Sequence, residues 1–187
     1  FSCETCPELF RPLDQAQNVT IASIARAIKE TTRATPIVYA AVFPEDAYVV
    51  PPGIVALSQK LNRSTITQYP NLEPRRRLPF IDDIIGSLYD SNNVNDFDYV
   101  VYTNSDIAVQ PDFYDWVTDT IISEGRTGFT LNRRDGLPQS TNGSLVTGND
   151  LDALYPMQGI YHHGHDCFVF QKVFYRNNFT LGDLFLG

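Results

Sequence analysis

The sequence predicts an α/β protein, with a mostly parallel sheet in the middle of three layers and helices on both of its faces. Two observations predict this fold class. The apolar runs 37–43 and 99–102 have the length of strands and lack the polar alternation of a half-exposed sheet, as strands buried on both faces do. Segments with apolar residues at helical spacing separate such runs, and this alternation favours a parallel sheet.

The chain is expected to begin with an extended lead-in over residues 1–20, which contain two prolines and show no periodicity. A single domain, 21–187, is expected to follow. Its first helix is predicted from Ile21 to near Arg33, because apolar residues recur there at helical spacing. The buried strand 37–43 comes next.

Two short elements are predicted after this strand, a helix over 54–61 and a strand over 64–68. Pro79 then opens a longer helix with an apolar face. Its first turn carries Asp82 and Asp83, which suit the positive end of the helix dipole.

The second half of the chain continues the alternation with strand 99–102, a helix over 113–121 and strand 127–132. Residues 136–150 are rich in Gly, Ser, Thr and Asn, the composition of a mobile loop, and loops of that length often act as lids. Cys167 lies in an apolar strand pattern and is predicted to be a small core residue.

Net charge and hydropathy exclude two classes of protein. With 14 Lys and Arg against 22 Asp and Glu, the chain carries a net charge of −8, whereas a nucleic-acid binder needs a basic face. No apolar run approaches the roughly 20 residues of a membrane-spanning helix.

Because the chain begins at Phe1, we expect a processed product or a fragment. The sequence also lacks the Gly-rich phosphate loop of a nucleotide-hydrolysing protein.

Four Asn-x-Ser/Thr triplets favour a history in the lumen of the secretory pathway, in the Golgi or the endoplasmic reticulum, or outside the cell. The candidate N-glycan positions are Asn18, Asn62, Asn142 and Asn178. Cys3 and Cys6 form a Cys-x-x-Cys pair, and both a local disulfide and free thiols are compatible with it.

Strand 99–102 delivers Asn104 and Asp106 just past its carboxyl end, where open α/β sheets bind ligands. Oxygen groups two residues apart on a turn can hold a hard divalent cation, which can in turn bridge the phosphates of a nucleotide. Asn-Ser-Asp is also ordinary turn chemistry, and Asp106 could instead cap the helix that follows.

Three further polar residues lie at strand or helix ends. Arg77 belongs to the only strongly basic run of the chain, which is suited either to a diphosphate or to a solvated turn. Arg133 follows a strand, and an ion pair with Asp135 is the alternative to a ligand contact. Asp46 follows the first strand, where an ordinary turn is the alternative.

All three histidines lie in one segment, as His162, His163 and His165. His163 and His165 would share one face of a strand, which suits a transition metal. No further histidine exists to complete a zinc site, so a dedicated zinc site is not expected.

The run from Asp98 through Asn104-Ser105-Asp106-Ile107 to Pro111-Asp112-Phe113-Tyr114 resembles the central strand and Asp-x-Asp region of nucleotide-sugar glycosyltransferases of the GT-A fold. Asn104 departs from that pattern at the first Asp. The resemblance implies a Rossmann-like GT-A fold and transfer of a sugar from a nucleotide diphosphate to a hydroxyl of a glycan or protein acceptor. It also implies that Asp106 binds Mn²⁺ or Mg²⁺, which would neutralise the leaving diphosphate.

Gly164-His165-Asp166, followed by Cys-Phe-Val-Phe, is similar to the segment of these enzymes that brings an acidic residue to the sugar. The resemblance implies that Asp166 binds the sugar or is the general base that takes the proton of the acceptor hydroxyl. Holding a loop by backbone hydrogen bonds is the alternative role of Asp166. The implied substrate-binding residues are Asn104, Arg77, Arg133, Asp46 and His165.

The resembled family has a further metal ligand, often a histidine, nearer the carboxyl end, and this chain stops at Gly187. We therefore expect either a chain truncated at its carboxyl terminus or a catalytically silent GT-A-like domain. Such a domain would serve as a sugar-binding or structural module of an extracellular or lumenal assembly.

Overall fold

The computed structural model of the protein describes residues 11–57, 61–73, 76–89, 95, 98–135, 151–156, 159–174 and 182–185. The sequence predicts a single domain over 21–187, whereas the contacts of the chain divide it into two compact units. The first unit combines residues 1–36 with 99–170, and the second combines 37–98 with 171–187. Each unit is therefore built from two separate stretches of the chain.

The first unit begins with helix α1, which spans Arg11–Glu30. This corrects the expected lead-in, because residues 11–20 are helical and the helix starts ten residues before Ile21. Proline interrupts a helix when it lies in the helix interior. Pro12 lies in the first turn of α1, where proline is tolerated because its missing N–H has no intrahelical partner to lose.

Helix α1 packs against two other helices of the first unit, α4 (Phe113–Glu124) and α5 (Leu151–Leu154). Ser23 and Ala27, one turn apart on α1, are fully buried. Helix α4 agrees with the prediction. It ends at Gly125, whose φ of 61° is a left-handed conformation that glycine adopts readily.

A three-stranded sheet completes the first unit. Its strands are β3 (Tyr99–Thr103), β4 (Gly128–Asp135) and β5 (Ile160–Gln171), in the spatial order β3-β5-β4. β3 and β4 confirm the predicted strands, and β4 continues beyond the predicted end. β4 and β5 pair in antiparallel fashion.

Apolar side chains of this sheet form the core of the first unit. Val100 on β3 and both Cys167 and Val169 on β5 are buried, as is Val117 on α4. Cys167 is therefore the small core residue that the sequence predicts. Burial raises the pKa of its thiol to about 12, because the thiolate would lose its hydration there.

The register of β4 and β5 shifts near Arg133. Asn132 lies opposite His165, and Arg134 lies opposite Tyr161. Residues 162–164 of β5 therefore lie opposite a single residue of β4, Arg133. Irregular pairing of this kind changes the direction in which side chains point.

The second unit contains a parallel pair of short strands, β1 (Tyr39–Ala41) and β2 (Val55–Leu57). β2 corrects the short helix predicted over 54–61. The Val55 N–H donates to the Val38 carbonyl at 2.9 Å. The backbone of β2 thus forms hydrogen bonds with the segment around β1, whereas a helix would form them within the same segment.

Helix α2 (Thr65–Gln68) corrects the strand predicted over 64–68. The Ser64 N–H donates to the Thr67 hydroxyl at 3.0 Å, and that hydroxyl donates to the Ser64 carbonyl at 2.8 Å. These local bonds cap a single helical turn and outweigh the β propensity of its Thr and Ile residues. Helix α3 (Ile81–Tyr89) agrees with the prediction.

The predicted α/β class is confirmed, since both units mix helices and strands. The finer prediction of a mostly parallel sheet is not shown by the described residues. Among them, β1 and β2 are parallel, whereas β4 and β5 are antiparallel.

Several predicted features lie outside the described residues, namely the lead-in over 1–10, the loop 136–150, Cys3, Cys6, Asn142 and Asn178. Asn18 on α1 and Asn62 before α2 are described, and both are exposed. Within the described part of the chain, no helix has the length and apolarity needed to cross a bilayer.

Candidate functional site

The first unit joins the two sequence segments that carry most of the predicted site residues. Asn104 is the first residue past β3, and its side-chain Nδ2 donates a hydrogen bond to Oδ1 of Asp166 at 3.3 Å. Asp166 lies on β5, the neighbour of β3 in the sheet. This pairing of strands brings together two residues that are 62 positions apart in the chain.

Arg133 approaches the same carboxylate from β4. Its Nη1 lies 3.0 Å from Oδ2 of Asp166, and its Nε donates to Oδ1 of Asp135 at 2.9 Å. The ion pair with Asp135 that the sequence offered as an alternative role is therefore present. Arg133 thus bridges two carboxylates, and the site around Asp166 contains one cation and two anions from these three residues.

The two oxygens of Asp166 differ in their hydrogen bonds. Oδ1 accepts the Asn104 amide, whereas Oδ2 is buried and accepts no hydrogen bond from the described residues. Arg133 is within ion-pair distance of Oδ2, but its N–H is not aligned for a hydrogen bond. A buried carboxylate oxygen without a hydrogen bond is costly, and the nearby Arg133 charge offsets part of this cost while an acceptor position of Oδ2 stays unused.

His162 is a site neighbour that sequence reasoning did not select. Its Nδ1 lies 3.6 Å from Oδ2 of Asp166 and accepts the Gly164 N–H at 3.0 Å. His165 is exposed, and its Nδ1 lies 3.2 Å from the Thr130 hydroxyl. Alternate residues of a strand share a face, so the spacing of four between His162 and Asp166 was the signal that could have found it.

The predicted metal ligand Asp106 is exposed and lies in a turn after β3, in which the Ile107 N–H donates to the Asn104 carbonyl at 3.3 Å. The alternative role as a helix cap is wrong, because α4 starts at Phe113 and its N-cap residue is Asp112. Among the described residues, no three His, Cys, Asp or Glu side chains converge on a point where a metal ion could bind.

Two predicted substrate contacts belong to the second unit. Asp46 is half-buried in a 3-10 helix, Pro44–Val49, that follows β1. Arg77 forms an ion pair with Glu45, and its guanidinium carbon lies 4.0 Å from the centroid of the Phe43 ring. Arg77 is thus engaged by an anion and by an aromatic face within its own unit.

No protein-family model, no curated protein and no solved structure matches the chain. The residues around Asp166 and their geometry therefore carry the functional assignment.

Proposed function

We propose that the chain is a three-layer, GT-A-like domain that transfers a sugar from a nucleotide diphosphate to a hydroxyl of a glycan or protein acceptor. The observation that carries this proposal is the hydrogen bond between Asn104 and Asp166. It joins the end of β3 to the Gly164-His165-Asp166 segment, and these are the two segments on which the resemblance to GT-A enzymes rests.

In this proposal Oδ2 of Asp166 meets the sugar or accepts the proton of the acceptor hydroxyl. Asn104 holds Oδ1 and so orients the carboxylate, and Oδ2 stays without a hydrogen bond. A general base must have a free lone pair within hydrogen-bond reach of the proton it takes. Arg133, at 3.0 Å, balances the charge of Asp166 and offers a guanidinium to a phosphate.

The remaining candidate residues complete the proposal. Asp106 is the proposed ligand of a divalent cation, Mn²⁺ or Mg²⁺, which when bound would neutralise charge on the leaving diphosphate. His165, Asp46 and Arg77 are proposed substrate contacts, and Arg77 would have to leave Glu45 to reach a phosphate. The proposed location is the lumen of the secretory pathway or the extracellular space, with N-glycans on the exposed Asn18 and Asn62.

The first test has a binding arm and a turnover arm. Calorimetric titration of UDP and GDP, with and without Mn²⁺, is expected to show metal-dependent binding that Asp106→Ala abolishes. Release of UDP or GDP from UDP-glucose, UDP-galactose, UDP-N-acetylglucosamine and GDP-mannose reports turnover. We expect Asp166→Asn to slow this release by about 100-fold or more, since a lost general base typically costs that much.

Glu73→Gln is the matched control, because it removes one carboxylate from an exposed position in the second unit. This variant is expected to bind nucleotide and to release UDP or GDP as the wild-type protein does. If the folded wild-type protein binds neither nucleotide at any Mn²⁺ concentration, the transferase proposal is wrong.

A second candidate function is a silent sugar-binding or structural module. The observation that favours it is the Arg133 ion pair, because Arg133 lies against both Asp166 and Asp135 and could hold the carboxylate permanently as part of the fold. Nucleotide-sugar binding without any turnover, or binding of glycans alone, would support this module instead of the enzyme.

A further inference from the structure

The ring of His162 lies directly against Gly164, two positions along β5. A Cβ placed on Gly164 would be 2.7 Å from Cε1 and 2.9 Å from Nδ1 of that ring. These distances are shorter than carbon and nitrogen atoms tolerate without moving. The ring therefore occupies its place because residue 164 has no side chain, and in this place it faces Asp166.

One hydrogen bond at Nδ1 indicates how the ring is oriented. Nδ1 of His162 accepts the Gly164 N–H at 3.0 Å. An imidazole nitrogen that accepts a hydrogen bond carries no proton, so this arrangement suits a ring whose single proton is on Nε2. A second proton, taken from solvent, has to bind at Nδ1, where it replaces the hydrogen bond from Gly164.

Once protonated, Nδ1 becomes a donor that faces a carboxylate oxygen. Oδ2 of Asp166 is 3.6 Å away and accepts no hydrogen bond from the described residues. A charge-assisted hydrogen bond needs a contraction to about 2.8 Å. A small rotation of a ring that is partly exposed can supply this movement.

The charged groups around His162 come from two strands. Asp166 faces it from β5. On β4, Arg133 contacts the Asp166 carboxylate and also pairs with Asp135. Asn104, after β3, is neutral. A protonated His162 would compete with Arg133 for Oδ2 and would repel it. Arg133 already donates to Asp135 at 2.9 Å, and it would keep this partner if it lost Oδ2.

We propose that His162 is a proton-operated positioning residue that controls the free oxygen of Asp166. With the ring neutral, Oδ2 accepts no hydrogen bond from the described residues. With the ring protonated, His162 donates to Oδ2, and Arg133 gives up Oδ2 and keeps Asp135. Histidine is suited to this role because it gains its charge in the near-neutral range. The consequence for sugar transfer rests on the proposed function, whereas the exchange of partners does not.

The exchange is tested by NMR on the protein labelled with nitrogen-15, with the pH lowered from 8 to 5. We expect the Gly164 amide proton to shift in the same step in which Nδ1 of His162 gains its proton, and the Arg133 Nε signal to shift with both. His162→Gln keeps an acceptor oxygen but cannot be protonated there, so the step at Gly164 and Arg133 should vanish. A Gly164 amide that does not respond while the His162 ring titrates overturns the proposal.

Two further variants separate this role from a merely structural one. Gly164→Ala is expected to push the ring away from Asp166 and to abolish the Arg133 response without unfolding the protein, because Gly164 is not in a left-handed conformation. His165→Gln, on the opposite face of β5, is expected to leave the response intact. An Arg133 response that persists in Gly164→Ala, or that is lost in His165→Gln, contradicts the assignment to His162.

The functional arm measures release of UDP from the donor sugars over the same pH range. We expect wild-type release to fall in acid and His162→Gln release to fall less. A wild-type protein that binds no nucleotide at any pH would refute the proposed function, and the NMR step would still decide the exchange of partners. Equal acid sensitivity of the two proteins would refute the control of transfer by His162.

Discussion

Asp115, in the first turn of α4, accepts hydrogen bonds from the chain that leaves α1. Its carboxylate accepts the Thr31 hydroxyl, the Thr32 N–H at 3.0 Å and the Arg33 N–H at 3.1 Å. These bonds, with that of Thr31 contributing most, lower the pKa of Asp115 below its ordinary value of 3.8, because they stabilise the charged form. One side chain thus connects the end of α1 to the start of α4.

We expect Asp115→Asn to lower the free energy of unfolding at pH 7 and to have a smaller effect at pH 3. The pKa of Asp115 is lower in the folded than in the unfolded state. Its contribution is therefore complete above the unfolded value and is lost as the pH falls through the folded value. Urea unfolding at the two pH values measures the difference. Asp112→Asn is the control, since Asp112 is exposed and makes no side-chain cap bond. An equal penalty at both pH values would contradict this account.

Phe80, just before α3, is the largest fully buried side chain among the described residues. Its ring lies 6.3 Å from that of Tyr69 and 6.1 Å from that of Phe185, centroid to centroid, and the guanidinium of Arg63 is 4.9 Å from its centroid. We expect Phe80→Ala to lower the free energy of unfolding by about 3–5 kcal/mol, because it leaves a cavity. Denaturant unfolding measures the loss. Ile122→Ala, at a position 72% exposed, is the control and should change stability by less than about 0.5 kcal/mol.

At the scale of elements, α2 depends on Thr65 as well as on its own cap. Thr65 is buried, and its hydroxyl donates to the Arg76 carbonyl and accepts the Leu78 N–H at 3.1 Å. The Thr65 N–H also donates to the Leu78 carbonyl at 3.0 Å. A single turn of helix is not stable alone in water, so these bonds to the segment before α3 stabilise α2.

We expect Thr65→Val to lower the free energy of unfolding by about 1 kcal/mol, since the substitution keeps the shape and removes the hydroxyl that two part-buried backbone groups share. Denaturant unfolding again gives the value. Thr118→Val is the matched control, because the Thr118 hydroxyl donates to the Tyr114 carbonyl one turn earlier on its own helix. If the two substitutions cost the same, the bridging role of Thr65 is refuted.

At the scale of the whole molecule, neither compact unit is continuous in the sequence. The first unit needs α1 from the amino-terminal stretch and the sheet from residues 99–170. The Ser23 hydroxyl, fully buried on α1, accepts the buried Val109 N–H at 3.0 Å across these stretches. A boundary placed between the stretches therefore cuts through a core.

We expect the fragment 99–170 to be unfolded when expressed alone, because it would expose the apolar surface that α1 covers and leave the Val109 N–H without its partner. The dispersion of amide signals in a proton–nitrogen NMR spectrum measures this, with the full chain as the reference. A well-dispersed spectrum of the fragment would show that α1 is dispensable for this unit.

The sequence by itself determined the elements whose apolar periodicity is long and unbroken. Helices α3 and α4 and strand β3 agree with the prediction because their own side chains specify which face is buried. β4 agrees because Phe129 and Leu131 alternate with polar residues. It also determined that Asn104 lies just past the end of a strand, since the boundary between apolar and polar residues is local.

The tertiary structure decided what depends on partners distant in the chain. β2 is a strand because β1 offers it backbone groups, and Asn104 contacts Asp166 because β3 and β5 are neighbours in the sheet. Hydrogen bonds and ion pairs need positions accurate to a few tenths of an ångström. In this site, the pairing of the strands and the register shift beside Arg133 fix the positions of the interacting side chains.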